Sequence, residues 1–318
     1  MKIYAVAALG VAFSLSATLS GCSAFGDSAS SADGVEVATA FYPLQYVAER
    51  VAGDHAEVEN LTAPGGEPHD LELTVQETAA VAEADLVVYL HGFQPSVDDA
   101  VDTVATGEAF DVSEAVELRP ASEGDHDHAH GDDEHAEEEA EEEHDHGDTD
   151  PHFWQDPLLM ADLGDELAER LAEIDPDHAD DFEANAADLR SDLETLDAAY
   201  ADGLADCERH TVVVAHDAFG YLGRYGLEFE PIAGLSPDAE PTPAGLAHLH
   251  EVIEDEGVTT VFYESLVSPA IAEQLADDTG AEVDVLDPVE GLTDQTADED
   301  YLSLMEKNLS ALEEANGC

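Results

Sequence analysis

Positive charge is what this chain has least of. Eight lysines and arginines stand against 77 aspartates and glutamates, and only Lys2 and Lys307 are lysines. Nucleic-acid phosphates are held by clustered Lys and Arg, so this imbalance excludes nucleic acid as a partner. Long apolar runs are also missing. After residue 19 nothing approaches the roughly 20 consecutive apolar residues that a spanning helix requires. There is no His-Glu-x-x-His helix and no nucleophile constellation, which argues against a zinc hydrolase; Glu67 is the one residue that could serve as its general base.

The first residues do form an export signal. Lys2 supplies the positive end, an apolar and small-residue stretch follows, and Leu19-Ser20-Gly21-Cys22 resembles a bacterial lipobox, whose cysteine is lipidated. Residues 1–22 are therefore expected to be a lipoprotein signal, and the small, polar 23–34 a flexible tether. Lipidation of Cys22 leaves Cys207 and Cys318, an even remainder that in an exported protein is expected to be a disulfide. Roughly 285 residues remain, enough for two ordinary domains, and a hydrophobic fraction of 44% permits a normal core.

Short apolar strands alternate with helical patterns over 35–119: strands at 35–41, 56–61 and 86–90, helices at 44–52 and 73–84. This predicts an α/β fold of parallel βα units, with ligands at the carboxyl ends of the strands. Leu159, Leu163, Leu167 and Leu171 mark one amphipathic helix. Phe182, Ala186, Leu189, Leu193, Leu196 and Tyr200 mark another over about 176–205, which would be a strut of roughly 40 to 45 Å. Strands at 211–215, 228–233, 258–263 and 283–286 then alternate with helices at 243–256, 269–279 and 301–315. The organisation expected is a first lobe at 35–175, a linking helix at 176–206 and a second lobe at 207–318.

Three isolated histidines stand out: Glu67-Pro-His69-Asp, Asp150-Pro-His152-Phe-Trp-Gln-Asp and Val214-Ala-His216-Asp-Ala-Phe. Each lies at a turn or just past an apolar run, where a side chain can face a cleft. Neutral imidazoles suit zinc, and three with one carboxylate complete a tetrahedral shell. Between the first two lies an acidic loop, 121–150, with His126, His128, His130, His135, His144 and His146 among 15 carboxylates. It has too little apolar surface to fold alone, and its histidines point to auxiliary metal capture.

Together with Phe262-Tyr-Glu-Ser-Leu-Val-Ser-Pro269 and Val285-Leu-Asp-Pro-Val-Glu-Gly-Leu292, these blocks resemble, in order, the zinc-type (ZnuA-like) solute-binding lipoproteins of ABC importers. The resemblance covers nearly the whole mature chain. It implies two α/β lobes joined by a rigid helix, with Zn2+ in the cleft. The ligands it implies are His69 and His152 from the first lobe, His216 from the second and Asp287 as the fourth, with water or Glu67 as alternatives. A membrane ABC permease is the implied partner, and the implied form is a monomer anchored outside the cell through Cys22, without enzymatic activity. A manganese- or iron-type receptor of the same family and a surface adhesin are the alternatives; manganese-type relatives carry a carboxylate where this chain has His216. Phe153, Trp154, Phe219 and Tyr221 are expected to pack around the ligands, and Asp156 and Asp217 to orient the imidazoles. His248 and His250 are expected at the surface, and His91 either there or in the cleft. Metal affinity should fall as pH drops through the histidine range near 6.5.

Of the acids, 62 lie outside 121–150, so self-repulsion is a property of the whole surface and a halophilic setting is expected. Thermal unfolding between about 0.1 M and 2 M salt should show a rising midpoint as the Debye length shrinks from about 10 Å to below about 3 Å. A salt-independent midpoint would reject this reading.

Overall fold

The structure, a computed structural model, describes residues 34–121 and 149–318. The expected signal, Cys22, the tether and the six loop histidines from His126 to His146 lie outside the described residues. In chain order the elements are β1 (Val35–Thr39), α1 (Tyr42–Ala52), β2 (Ala56–Asn60), α2 (Val75–Glu83), β3 (Leu86–Tyr89), α3 (Pro95–Val104), β4 (Glu108–Asp111), α4 (Pro157–Ile174), α5 (Ala179–Gly203), β5 (Thr211–Val214), β6 (Glu228–Pro231), α6 (Pro243–Glu256), β7 (Thr260–Tyr263), α7 (Ala270–Thr279), β8 (Glu282–Val285) and α8 (Tyr301–Asn316).

The strands form two four-stranded parallel sheets, ordered β2-β1-β3-β4 and β6-β5-β7-β8. The two orders are the same, so each sheet has its reversal of winding at its central pair, and loops leaving the carboxyl ends there open a crevice. Of the central strands, β3 and β5 are the most continuously apolar because both faces are covered: Leu86, Val87 and Val88 are fully buried. Neither α3 nor β4 was expected. Only Phe110 of β4 is buried, so it carries little apolar pattern, whereas α3 does set Val97, Ala100, Val101 and Val104 on one face, but over only ten residues.

The stripe Phe182, Ala186, Leu189, Leu193, Leu196, Tyr200 is buried along α5, which at 25 residues is about 37 Å long. It packs in a hairpin on α4, where Gly164 lets the Leu189 side chain approach so closely that an added Cβ would sit 3.0 Å from it. It also packs on α1 and α8, so it is embedded between neighbours rather than standing free as a strut. One apolar core runs from β1 through α5 to α8 and includes Val212, Val214 and Phe262 of the second sheet. A smaller core under α6 and α7 holds Val213, Leu249, Ile253 and Val261.

Every described basic side chain has a carboxylate neighbour. Arg190 reaches Asp162 and Asp165 across the α4–α5 hairpin, Arg170 reaches Glu108, Glu114 and Glu166, Arg224 reaches Asp156 and Asp197, and Arg50 reaches Asp192. Arg119 pairs with Asp150, Arg209 with Glu208 and Lys307 with Glu299.

Cys207 and Cys318 are joined in a disulfide spanning 111 residues, which ties the end of α8 to the approach to β5. Closing a loop of that size is worth up to about 4 to 5 kcal/mol in the chain-entropy model. The Cys207→Ser, Cys318→Ser double variant should lose stability of that order in denaturant unfolding, and thiol labelling of the unfolded, unreduced protein should find neither of these cysteines free. Labelling of both would exclude the bridge.

Candidate metal centre

Each histidine reaches the centre on a loop whose course the local sequence dictates. His69 sits in the irregular stretch between β2 and α2, ahead of the Thr74–Glu77 capping box that starts α2. His152 opens a single 3-10 turn, Phe153–Gln155, and Asp156 caps α4 directly after it. His216 lies two residues beyond β5, where the Thr-Val-Val-Val strand delivers it to the carboxyl edge of the second sheet.

These three imidazoles meet Glu290, which follows β8. The Glu290 Oε1 atom lies 3.5 Å from His69 Nε2 and 3.4 Å from both His152 Nε2 and His216 Nε2, and the last two nitrogens are 3.4 Å apart. A tetrahedral ion with bonds of about 2.0 to 2.1 Å has donor–donor edges of about 3.3 to 3.4 Å. These four edges therefore have the length a zinc tetrahedron requires, and all four donor atoms lie within 4.8 Å of one another. His152, His216 and Glu290 are at most 1% exposed and His69 is 9% exposed. Two of the donors, His69 Nε2 and Glu290 Oε1, have no hydrogen-bond partner; a cation at the centre would satisfy both, so the donor set fits a metal ion.

Two imidazoles are oriented by carboxylates. Asp150 Oδ1 accepts from His152 Nδ1 at 2.8 Å and from the His152 main-chain N–H at 3.0 Å. Glu264 Oε1 does the same for His216, at 2.6 Å and 3.1 Å. Each carboxylate thus fixes ring and backbone together and turns Nε2 toward the centre. The His69 ring instead stands edge-on to Phe93, which packs on Phe41 and Trp154. A small opening of about 70 Å³, lined by His69, Leu90, His91 and Thr149 among others, leads to His69.

Charge in the cluster is strongly perturbed. Burial alone would lower the His216 pKa, yet Glu264 and then Glu290 outweigh it and raise it to about 10. His152 is raised in the same way, against its burial, by Asp150 and Glu290. Burial would push Glu290 up, but His69, His152 and His216 hold it well below the usual carboxylate range.

Several expectations need correction. Asp287 is not one of the four converging groups. Its Oδ1 accepts from Val289 N–H and its Oδ2 from Ser265 Oγ, at 2.8 Å each, so it braces the turn that delivers Glu290. Glu67 is turned inward on its own loop, accepting from the His69 and Asp70 N–H groups. The carboxylates on the imidazoles are Asp150 and Glu264 instead of Asp156, which caps α4 and pairs with Arg224. Asp217 is buried and its N–H donates to the Gly234 carbonyl. Tyr221 does more than pack: its hydroxyl donates to the Asp150 carbonyl and accepts from Arg119 N–H, bridging the lobes beside His152. His91 and His248 have largely exposed side chains, near Asp98 and Glu230. Glu290 and Glu264 both lie in sequence blocks already singled out for their pattern, but nothing in the pattern separates Glu290 from Asp287.

The chain is 37% identical to the zinc-binding lipoprotein AdcA of Streptococcus pneumoniae over 297 residues, covering 89% of this chain and 56% of that one, so it spans only about half the length of that relative. It is 33% identical to the high-affinity zinc uptake system protein ZnuA of Bacillus subtilis over 309 residues, covering 95% of this chain and 94% of that one. Among solved structures, the Zn(II)-bound ZnuA-like domain of Streptococcus pneumoniae AdcA superposes with a TM-score of 0.73 at 33% identity, covering 90% of this chain and 100% of that one. Residues 37–315 match the family model for the zinc-uptake complex component A, periplasmic, and the chain with its three-histidine, one-glutamate centre belongs to this ZnuA family.

Proposed function

We propose that this protein is an extracytoplasmic receptor that captures Zn2+ as cargo through His69, His152, His216 and Glu290 and delivers it to a membrane ABC permease. The observation that carries the reading is the set of four buried donors at tetrahedral spacing, two of them without any other partner. Three imidazoles and a single carboxylate favour zinc over manganese, which prefers a harder, oxygen-rich shell. The family and its zinc-binding relatives support the same cargo. A catalytic zinc needs an open position beside a general base. Here four protein donors close the shell, and Glu67 is engaged by its own main chain. The protein acts as a receptor monomer held at the outer face of the membrane through lipidated Cys22, and the acidic histidine run at 121–150 supplies weaker auxiliary sites. No helix among the described residues is long and apolar enough to cross a membrane.

His216→Ala should weaken tight zinc binding by orders of magnitude in calorimetry while the far-ultraviolet dichroism stays native, and the unaltered protein should select zinc over manganese in competition. An unchanged tight site in His216→Ala would refute the assignment.

Protons and zinc compete for His216. With its folded pKa raised to about 10, the metal-free protein keeps this imidazole charged at neutral pH, so zinc must expel a proton and its affinity should rise with pH well beyond the ordinary histidine range near 6.5. The sign for stability follows. A folded pKa above the unfolded value stabilises the metal-free fold fully below about pH 6.5, and this contribution is lost as pH climbs toward 10. The metal-free midpoint should therefore fall across that window while the zinc-loaded one holds, and calorimetry in buffers of different ionisation heat should register proton release at pH 7.5. Absence of released protons would contradict the charged state.

A further inference from the structure

Two glutamines outside the donor set are built into the centre in the same way. Gln155 is fully buried, and its Nε2 donates to the Pro288 carbonyl at 2.6 Å, two residues before Glu290. Gln94 is 1% exposed, and its Nε2 donates to the carbonyl of Pro68, the residue before His69, at 3.0 Å. In both, the amide Oε1 is buried without a partner. Because a carbonyl only accepts, each amide must present its NH2 to the proline and leave its oxygen unsatisfied. An orphaned buried oxygen costs stability, so the fold tolerates a penalty at both places where a donor meets a metal-bearing loop.

The Pro288 anchor crosses between lobes. Trp154 Nε1 donates to the same carbonyl at 2.8 Å, so the turn that begins with His152 also grips the segment carrying Glu290. Around that grip the main chain is held at consecutive points. Asn308 takes the Asp287 N–H and donates to the Asp287 carbonyl, and the Val289 N–H goes to the Asp287 side chain. Val289 lies at φ 61°, the one non-glycine residue at positive φ among the described residues. A β-branched residue is strained there and stays only where its surroundings enforce it. The bonds at Pro288 and Asp287 hold the segment in this strained course, with Glu290 aimed at the imidazoles.

We infer that Gln155 and Gln94 are positioning residues of the metal centre, Gln155 acting through Glu290 and Gln94 through His69, by hydrogen bonds to the proline carbonyls that set those two loops. The inference rests on the zinc reading above and adds the groups that aim two of its ligands, one of them across the cleft.

The test is a pair of double-mutant cycles on the full mature protein, read by zinc calorimetry and by the visible spectrum of the Co2+-loaded form. Methionine keeps the length of glutamine and removes its donor. Gln155→Met should weaken zinc binding by about 10- to 100-fold, the range for outer partners of metal ligands, and should shift the visible bands of the cobalt form at saturation. In a Glu290→Ala background the same substitution should change zinc affinity by less than about twofold, because coupled sites are not additive. Gln94→Met should behave likewise with His69→Ala as its background. Equal losses in both backgrounds, or native affinity and spectrum in Gln155→Met and Gln94→Met, would overturn the inference. Should Gln155→Met fail to fold, Gln155→Asn, whose amide falls one methylene short of the carbonyl, is read in the same cycle. An unaltered protein that binds no zinc would refute the receptor reading itself, an outcome distinct from additive variants of a protein that does bind.

Discussion

A carboxylate shut away from water needs positive charge beside it. Glu290 is 1% exposed, and an isolated buried carboxylate costs several kcal/mol even after the protein relaxes around it. Three imidazoles answer that demand: His152 and His216, whose pKa values are raised, favour the charged form when metal is absent, and His69 stands at the same carboxylate. The requirement propagates outward, because two of those imidazoles are buried too and need Asp150 and Glu264 behind them. The result is alternating layers of charge, carboxylate outside, imidazole within, carboxylate at the centre. No single lobe contains all of them. Asp150 and His152 belong to the first, Glu264, His216 and Glu290 to the second, so the charge balance at the centre depends on both lobes.

The scaffold is arranged to bring these groups together. Both sheets run their strands in the same order, so each offers loops at equivalent positions, and the two sets face one another. One core runs through α1, α4, α5 and α8 and takes in part of the second sheet. The lobes therefore share a rigid floor, while the loops above it remain free to differ. Hydrogen bonds of Tyr301 to the Trp154 carbonyl and of Tyr200 to the Met305 carbonyl stitch α8 to that floor.

Much of this was legible in the residues. The stripe from Phe182 to Tyr200 marked the long helix because burial on one face imposes its period, and the Val-rich strands marked sheets covered on both sides. His69, His152 and His216 stood out through the residue blocks around them, since His91 also follows a strand and is largely exposed. The fourth donor was not legible. Asp287 and Glu290 sit three residues apart in one short block, and which one enters the cleft depends on a backbone turn at Val289 that a β-branched residue does not advertise. The anchors that hold that turn, Trp154 and Gln155, lie more than 130 residues away. The partners of the imidazoles were misjudged for a related reason. Asp156 is adjacent in sequence but is occupied by the start of α4 and by Arg224, whereas Glu264 reaches His216 only through the pairing of β5 with β7.

The chain has a single tryptophan, and it stands within this network. Trp154 packs against the His152 ring at 5.2 Å and donates its indole N–H to the opposite lobe at Pro288. Its fluorescence is therefore a built-in reporter. Emission excited selectively at the indole comes from one residue, which touches a metal-facing imidazole on one side and the closing loop on the other. Loss of the indole hydrogen bond or entry of water beside the ring would shift that emission to the red, so separation of Trp154 from the Pro288 segment would be visible in the unlabelled protein.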